Sequence, residues 1–273
     1  MPVASPDDVK PSALELESAM DAAWPARERQ EAGNWVLRAA DGVTQRANSI
    51  WPRVLEDGHP DGDLAALLAE ARAWYRLRRL PVIFQLFDHP ATAALHDLLD
   101  AEGFTRQSET VVMTRSAAAG GTPEGGHNGA AVELAPMPSE DWLRVWWEVD
   151  GRGGKDALGT ARAILEGCPS LYALARDSDG RAAAVGRLAM PAGSTLGGVY
   201  GMATRTDARR KGFAAAILHA LLHAGVDHGM TDFWLLVTAQ NHGARELYSR
   251  AGFSEYGRYL YRQERPRRPL TGC

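Results

Sequence analysis

The chain has 273 residues, 45% apolar and 23% charged, with a formal net charge of −4. That describes an ordinary globular chain of one large or two modest domains, and no global basic field points to nucleic acid as a partner. Two cysteines, Cys168 and Cys273, exclude a disulfide framework and fit a reducing, cytoplasmic setting. No apolar run reaches the roughly 20 residues of a membrane helix, and the polar MPVASPDDVK start has no signal-peptide core.

In chain order, residues 13–32 read as a helix. Residues 35–39 and 44–51 read as two strands around the Asp41-Gly42 turn. A helix over 63–79, a strand over 82–87, a helix over 92–101 and a strand over 110–115 follow. Residues 116–130 (SAAAGGTPEGGHNGA) are small, Gly-rich and without periodicity, which is linker composition.

Beyond the linker, 131–134 is a short strand, and 140–150 and 157–166 are helices. Residues 171–176, 181–190 and 197–205 form a three-strand meander, with a hairpin turn at DSDG. An Ala-rich amphipathic helix follows RRKG, and Gly225 or Gly229 can end it. Residues 233–238 (FWLLVT) suit a buried central strand. Asn241 starts a helix that Gly252 stops, and 255–261 is a final strand. The pattern predicts an α/β fold with a mixed sheet and helices on both faces. LLDAEGF (98–104) and LYSRAGF (247–253) echo each other, so an internal duplication is expected.

The segment VYGMATRTDARRKGFA (199–214) carries the chemistry. A strand ends, an Arg-rich turn follows, and a helix begins. Helix-start N–H groups and the dipole favour an anion there, Gly212 lets it approach, and Arg209, Arg210 and Lys211 add charge. Neither GxxxxGK[ST] nor GxGxxG occurs there. Asn241, Ala244 and Tyr248 fall on one face of the later helix.

Arg209-x-x-Gly212-x-Ala214, followed by Asn241-x-x-Ala244-x-x-Leu247-Tyr248-x-x-x-Gly252-Phe253, resembles the two signatures of the GNAT N-acetyltransferases. The likeness covers most of 131–262. The first half resembles a degenerate copy, as in actinobacterial tandem proteins of this family. The resemblance implies tandem GNAT-like folds: an incomplete copy over 1–115, a linker over 116–129, a complete N-acetyltransferase domain over 130–265 and a tail over 266–273.

It also implies acetyl-CoA as co-substrate. The amides of Arg209, Arg210, Lys211, Gly212, Phe213 and Ala214 would hold the pyrophosphate. Met202, Ala203 and Thr204 would pair with the pantetheine arm, and their strand would splay from 233–238 to admit the thioester. Asn241 and Ala244 would flank the pantetheine. Tyr248 would act as general acid on the leaving thiolate, and Glu148 and Asp150 are candidate bases. The acceptor would be the amine of a small molecule or peptide, and the chain a monomer or homodimer. The alternative is a non-catalytic acyl-CoA sensor. The first half lacks the phosphate signature, so it is expected to bind no acyl-CoA.

Other features are weaker. His219, His223 and His228 lack the HExxH glutamate, so no metal is expected. Cys168 reads as a packed thiol. Arg262, Arg265, Arg267 and Arg268 read as a solvated basic tail. Trp142, Trp146 and Trp147 share a helix that would border the acceptor cleft.

Overall fold

The computed structural model describes residues 10–54, 63–118, 131–151 and 155–265. The elements in chain order are α1 (Ala13–Ala23), β1 (Glu28–Ala32), β2 (Trp35–Ala39), β3 (Trp51–Pro52), α2 (Leu64–Leu77), β4 (Ile83–Phe87), α3 (Ala93–Ala101) and β5 (Thr105–Ser116). Then come β6 (Val132–Ala135), α4 (Glu140–Asp150), α5 (Lys155–Glu166), β7 (Ser170–Arg176), β8 (Ala182–Ala189) and β9 (Leu196–Thr204). The last are α6 (Phe213–Asp227), β10 (Asp232–Thr238), α7 (His242–Arg250) and β11 (Ser254–Gln263). The expected linker falls mainly on 119–130, outside the described residues, as do Arg267 and Arg268.

Two compact units result, each assembled from two stretches of chain. The first takes Met1–Pro25 and Val111–Tyr256; the second takes Ala26–Thr110 and Gly257–Cys273. Strands β5 and β11 each contribute to both units.

In the first unit, β10 pairs parallel with β9, and β9, β8, β7 and β6 follow as antiparallel neighbours. The sheet is thus mixed, as its element order predicts. A Cβ on Gly186 would meet Ile217 and Leu221, so that face of β8 carries α6. Arg187 points the other way. It is registered opposite Tyr172, whose ring meets Trp142 of α4 edge-on at 5.2 Å. Helices α6 and α4 therefore cover opposite faces. The α6 face buries Ile217, Leu221, Phe233 and Leu235, each side chain contributing about 1.5–3 kcal/mol. Gly225 does not end α6 but lies within it. Its missing side chain admits Phe233, which a Cβ would approach to 2.5 Å. The left-handed Gly229 follows the helix instead.

The helix expected over 13–32 stops at Ala23. A Ser12–Glu15 capping box starts α1, and Pro25 forces Trp24 out of helical backbone (φ −134°, ψ 63°). Residues 28–32 instead pair as β1 with β2. Helix α1 is fastened to the first unit through Arg187, which is fully buried. Its guanidinium donates to the Ala23 carbonyl and to Ser170 Oγ, both at 3.0 Å. A cation at a helix C-terminus complements the dipole.

In the second unit, β1, β2 and β3 form a separate sheet, and β4 pairs antiparallel with β11. The strand expected over 44–51 is mostly loop. Asn48 explains this: its Oδ1 accepts from the amides of Ala40 and Gly42, and its Nδ2 donates to the carbonyls of Val43 and Thr44. Those bonds fix a turn with Asp41 and Thr44 left-handed, leaving only Trp51–Pro52 as strand. Arg262 is not solvated as expected. It is buried, paired with Asp100 and bonded to the Phe104 carbonyl.

The LLDAEGF and LYSRAGF segments end their helices with the same local geometry. In α3, the amide of Phe104 donates to the Leu99 carbonyl with Gly103 left-handed; in α7, Phe253 donates to the Tyr248 carbonyl with Gly252 left-handed. The position equivalent to Tyr248 is therefore Leu99.

Candidate functional site

Strand β9 changes its partners halfway along. Its register with β10 runs from Leu196↔Asp232 to Val199↔Leu235 and ends there. On its other edge, β9 stays paired with β8 as far as Thr204, through a register shift between Val185 and Arg187. The shift is a bulge at Gly201, whose φ is +59°. Ala203 and Thr204 thus keep one edge paired, Met202 falls in the shift itself, and the edge of all three toward β10 carries no registered partner. An extended ligand can add to such an edge. A Cβ on Gly201 would lie 3.2 Å from Trp142. Gly201→Ala should therefore press a methyl group against the Trp142 ring. It should also destabilise the fold by about 1–2 kcal/mol, a fall of roughly 2–8 °C in Tm. A thermal melt unchanged by this substitution would remove strain from the account of the bulge.

Beyond Thr204 the chain makes a short 3₁₀ turn over Thr206–Ala208 and enters α6. Arg205 fixes this turn. It donates to Asp207 at 2.7 and 2.9 Å and to the Ala182 carbonyl at 2.9 Å. The Arg205 guanidinium holds the Asp207 carboxyl below the usual carboxylate range. Arg210 (φ +60°) and Gly212 (φ +82°) are left-handed, while Arg209 is extended. Alternation of this kind turns successive amides toward one point. Gly212 is the N-cap of α6 and supplies no side-chain cap. Among the described residues, the amides of Arg210, Lys211, Gly212, Phe213 and Ala214 find no backbone acceptor. Arg209, Arg210 and Lys211 are exposed around them. An uncapped, cation-rimmed helix start of 15 residues is an anion receptor.

Helix α7 opposes this loop in function. Asn241 is its N-cap, with Oδ1 accepting from the Ala244 amide at 3.2 Å, which leaves the Nδ2 group for a ligand. Tyr248, seven positions further along the same face, is buried and packs edge-on against Phe253. Burial alone pushes its phenol up to about 12. Phe213 and Tyr248 join the same core cluster, with Met202 and Ala244 packed against it. The structure thus gathers residues from β9, α6 and α7 that are 46 positions apart at the extremes, counting from Met202 to Tyr248.

On the opposite face, α4 begins with Ser139 accepting from the Trp142 amide, and it buries Trp142 and Trp146 against the sheet. Trp147 is half-buried beside them. Glu148 and Asp150 are exposed near the end of this helix.

Comparison with known proteins settles the family. The profile of a family described as "Probable histone acetyltransferase Rv0428c C-terminal" matches residues 13–262. The chain belongs to the GNAT-type N-acetyltransferase family. It is 26% identical over 260 residues to an uncharacterized N-acetyltransferase, YobR, of Bacillus subtilis, covering 95% of this chain and 100% of that one. A GCN5-related N-acetyltransferase from Kribbella flavida superposes with a TM-score of 0.70 at 19% identity, over 93% of this chain and 96% of that one. A tandem GNAT protein from the clavulanic acid biosynthesis pathway gives 0.61 at 14% identity, over 75% and 70% of the two chains.

Within this GNAT chain, the weaker sequence features take ordinary places. Cys168 is buried, and burial pushes its thiol up, away from reactivity. His223 lies 3.6 Å from Asp227 on the same helix. Sequence reading missed Gly201 and Arg187. An isolated glycine inside a strand was the available signal for the bulge. Nothing local marks a buried arginine whose partner is 164 residues away.

Proposed function

We propose that the chain transfers an acetyl group from acetyl-CoA to a primary amine of a small molecule or peptide, using one cofactor site in its first unit. One observation carries this reading: the β9 edge that opens at Gly201 leads directly into the uncapped Arg210–Gly212 turn. A thioester on a pantetheine arm, ending in a pyrophosphate, has that order of chemistry. The turn would hold the pyrophosphate, the 202–204 edge would pair with the arm, and Asn241 Nδ2 would bond it. No helix of the described residues is long and apolar enough to cross a membrane.

In the reaction, the amine nitrogen attacks the thioester carbonyl carbon and the C–S bond breaks. Tyr248 gives its proton to the departing sulfur. The ammonium proton leaves to a base, Glu148 or Asp150 directly or through water, and solvent restores the phenol. The products are the N-acetyl amide and free CoA.

The second unit is proposed as an incomplete copy that takes no acyl-CoA. Its helix α2 is capped by its own carboxylate, Asp63, which accepts from the Ala65 amide at 2.9 Å. An anion already stands where a phosphate would bind. Leu99, in place of the tyrosine, has no proton to give.

The test is thiol release from acetyl-CoA with a panel of primary amines. Amine-dependent release supports the proposal. Tight CoA binding with no release on any amine would make the chain a sensor instead.

A further inference from the structure

The three tryptophans of α4 are not equivalent. Trp142 is 1% exposed, and its Nε1–H donates to the Gly186 carbonyl at 3.0 Å. Trp146 is 3% exposed, yet its Nε1–H has no acceptor among the described residues and is closed to solvent. A buried donor left without a partner costs about 1–3 kcal/mol, so its retention asks for an explanation.

Its position supplies one. The Cδ1 atom of Trp146, bonded directly to Nε1, lies 3.6 Å from where a Cβ on Gly201 would stand. The orphan donor is therefore beside the bulge at which the β9 edge opens. We infer that Trp146 is a substrate-binding residue: its indole N–H donates to a neutral oxygen of the amine acceptor, an amide carbonyl or hydroxyl a few bonds from the attacking nitrogen. This rests on the acetyl-transfer reading above, because it takes the bulge as the place where amine meets thioester.

The class of oxygen follows from the surroundings. Trp142 and Trp147 flank Trp146 at ring-centroid distances of 5.9 and 5.7 Å. A carboxylate against this wall would be desolvated with one neutral donor to compensate it, whereas a neutral oxygen needs no more. The wall also favours an apolar body on the acceptor. The occupant must part the wall to reach the donor, and pairing the orphan N–H offsets part of that cost.

The test uses the full chain with Trp146→Phe, which keeps an aromatic ring and removes the N–H. Leucinamide and 3-methylbutylamine serve as acceptors with and without the oxygen. The comparison is each amine's loss from wild type to variant, so their different basicities cancel. For leucinamide, KM should rise about tenfold, the loss of one good hydrogen bond. For 3-methylbutylamine and for acetyl-CoA, KM should stay within about twofold, as expected where no hydrogen bond is lost. In ¹⁵N spectra the Trp146 indole resonance, assigned by its absence from the variant, should move downfield when leucinamide is added with CoA. Equal losses on both amines, or an indole resonance unmoved by leucinamide, would overturn the inference and leave the N–H facing a neighbouring ring. Wild-type turnover of 3-methylbutylamine but not leucinamide would also overturn it alone. Absence of thiol release with every amine would instead sink the acetyl-transfer reading beneath it.

Discussion

Gly212→Glu is expected to lower acetyl-CoA affinity at least a hundredfold. Two effects act together. A carboxylate beside the uncapped amides occupies the place of the phosphate, and like charges so placed cost several kcal/mol. The left-handed backbone at Gly212 adds about 1–2 kcal/mol of strain for a residue with a Cβ. Gly212→Asn separates the two, since asparagine tolerates that conformation without charge. The asparagine variant should retain most of the affinity and the Tm, while the glutamate variant loses the affinity and melts roughly 2–8 °C lower. Calorimetric titration with acetyl-CoA measures both, and an unchanged dissociation constant in the glutamate variant would remove the Arg209–Ala214 turn from the site.

Tyr248→Phe should cut kcat about a hundredfold, the lower range for loss of a positioned general acid, while acetyl-CoA affinity changes little. The pH dependence carries a sign. The Tyr248 pKa is raised from 10 to about 12, so the phenol keeps its proton, and its capacity to donate, up to pH 10 and beyond. A tyrosine at its ordinary value would be half ionised at pH 10. Wild-type kcat should therefore show no fall between pH 8 and 10 attributable to this group. A fall there that disappears in Tyr248→Phe would contradict the buried, protonated tyrosine.

The turn into α6 and the start and stop of α7 were legible because their signals are local. A glycine after arginines at a helix start, and Asn241, Ala244 and Tyr248 on one helical face, are statements about spacing. The mixed sheet was legible for the same reason, since each element has its own period and punctuation. What escaped was non-local or depended on single side chains. Pro25 was overridden by the apparent helical pattern of 13–32. Asn48 tied the 40–44 loop into a turn that composition does not announce. The orphan N–H of Trp146 could not be told from the satisfied one of Trp142, because the difference lies in the neighbours and not in the residue.

The discontinuous units have a consequence for how the chain is made. Helix α1 leaves the ribosome well before its partner, because the guanidinium that caps it belongs to Arg187, 164 residues later. At the usual pace of synthesis, about 5–20 residues per second, α1 waits roughly 10–30 seconds for its seat. During that time Leu16 and Met20, buried in the finished protein, face solvent or a chaperone. The second unit waits longer, because β4 pairs with β11, whose residues follow 172 positions later at the nearest pair, Phe87 and Tyr259. Assembly is therefore not vectorial, and the nascent chain carries an unseated α1 and a β4 without its β11 partner until those distant residues emerge.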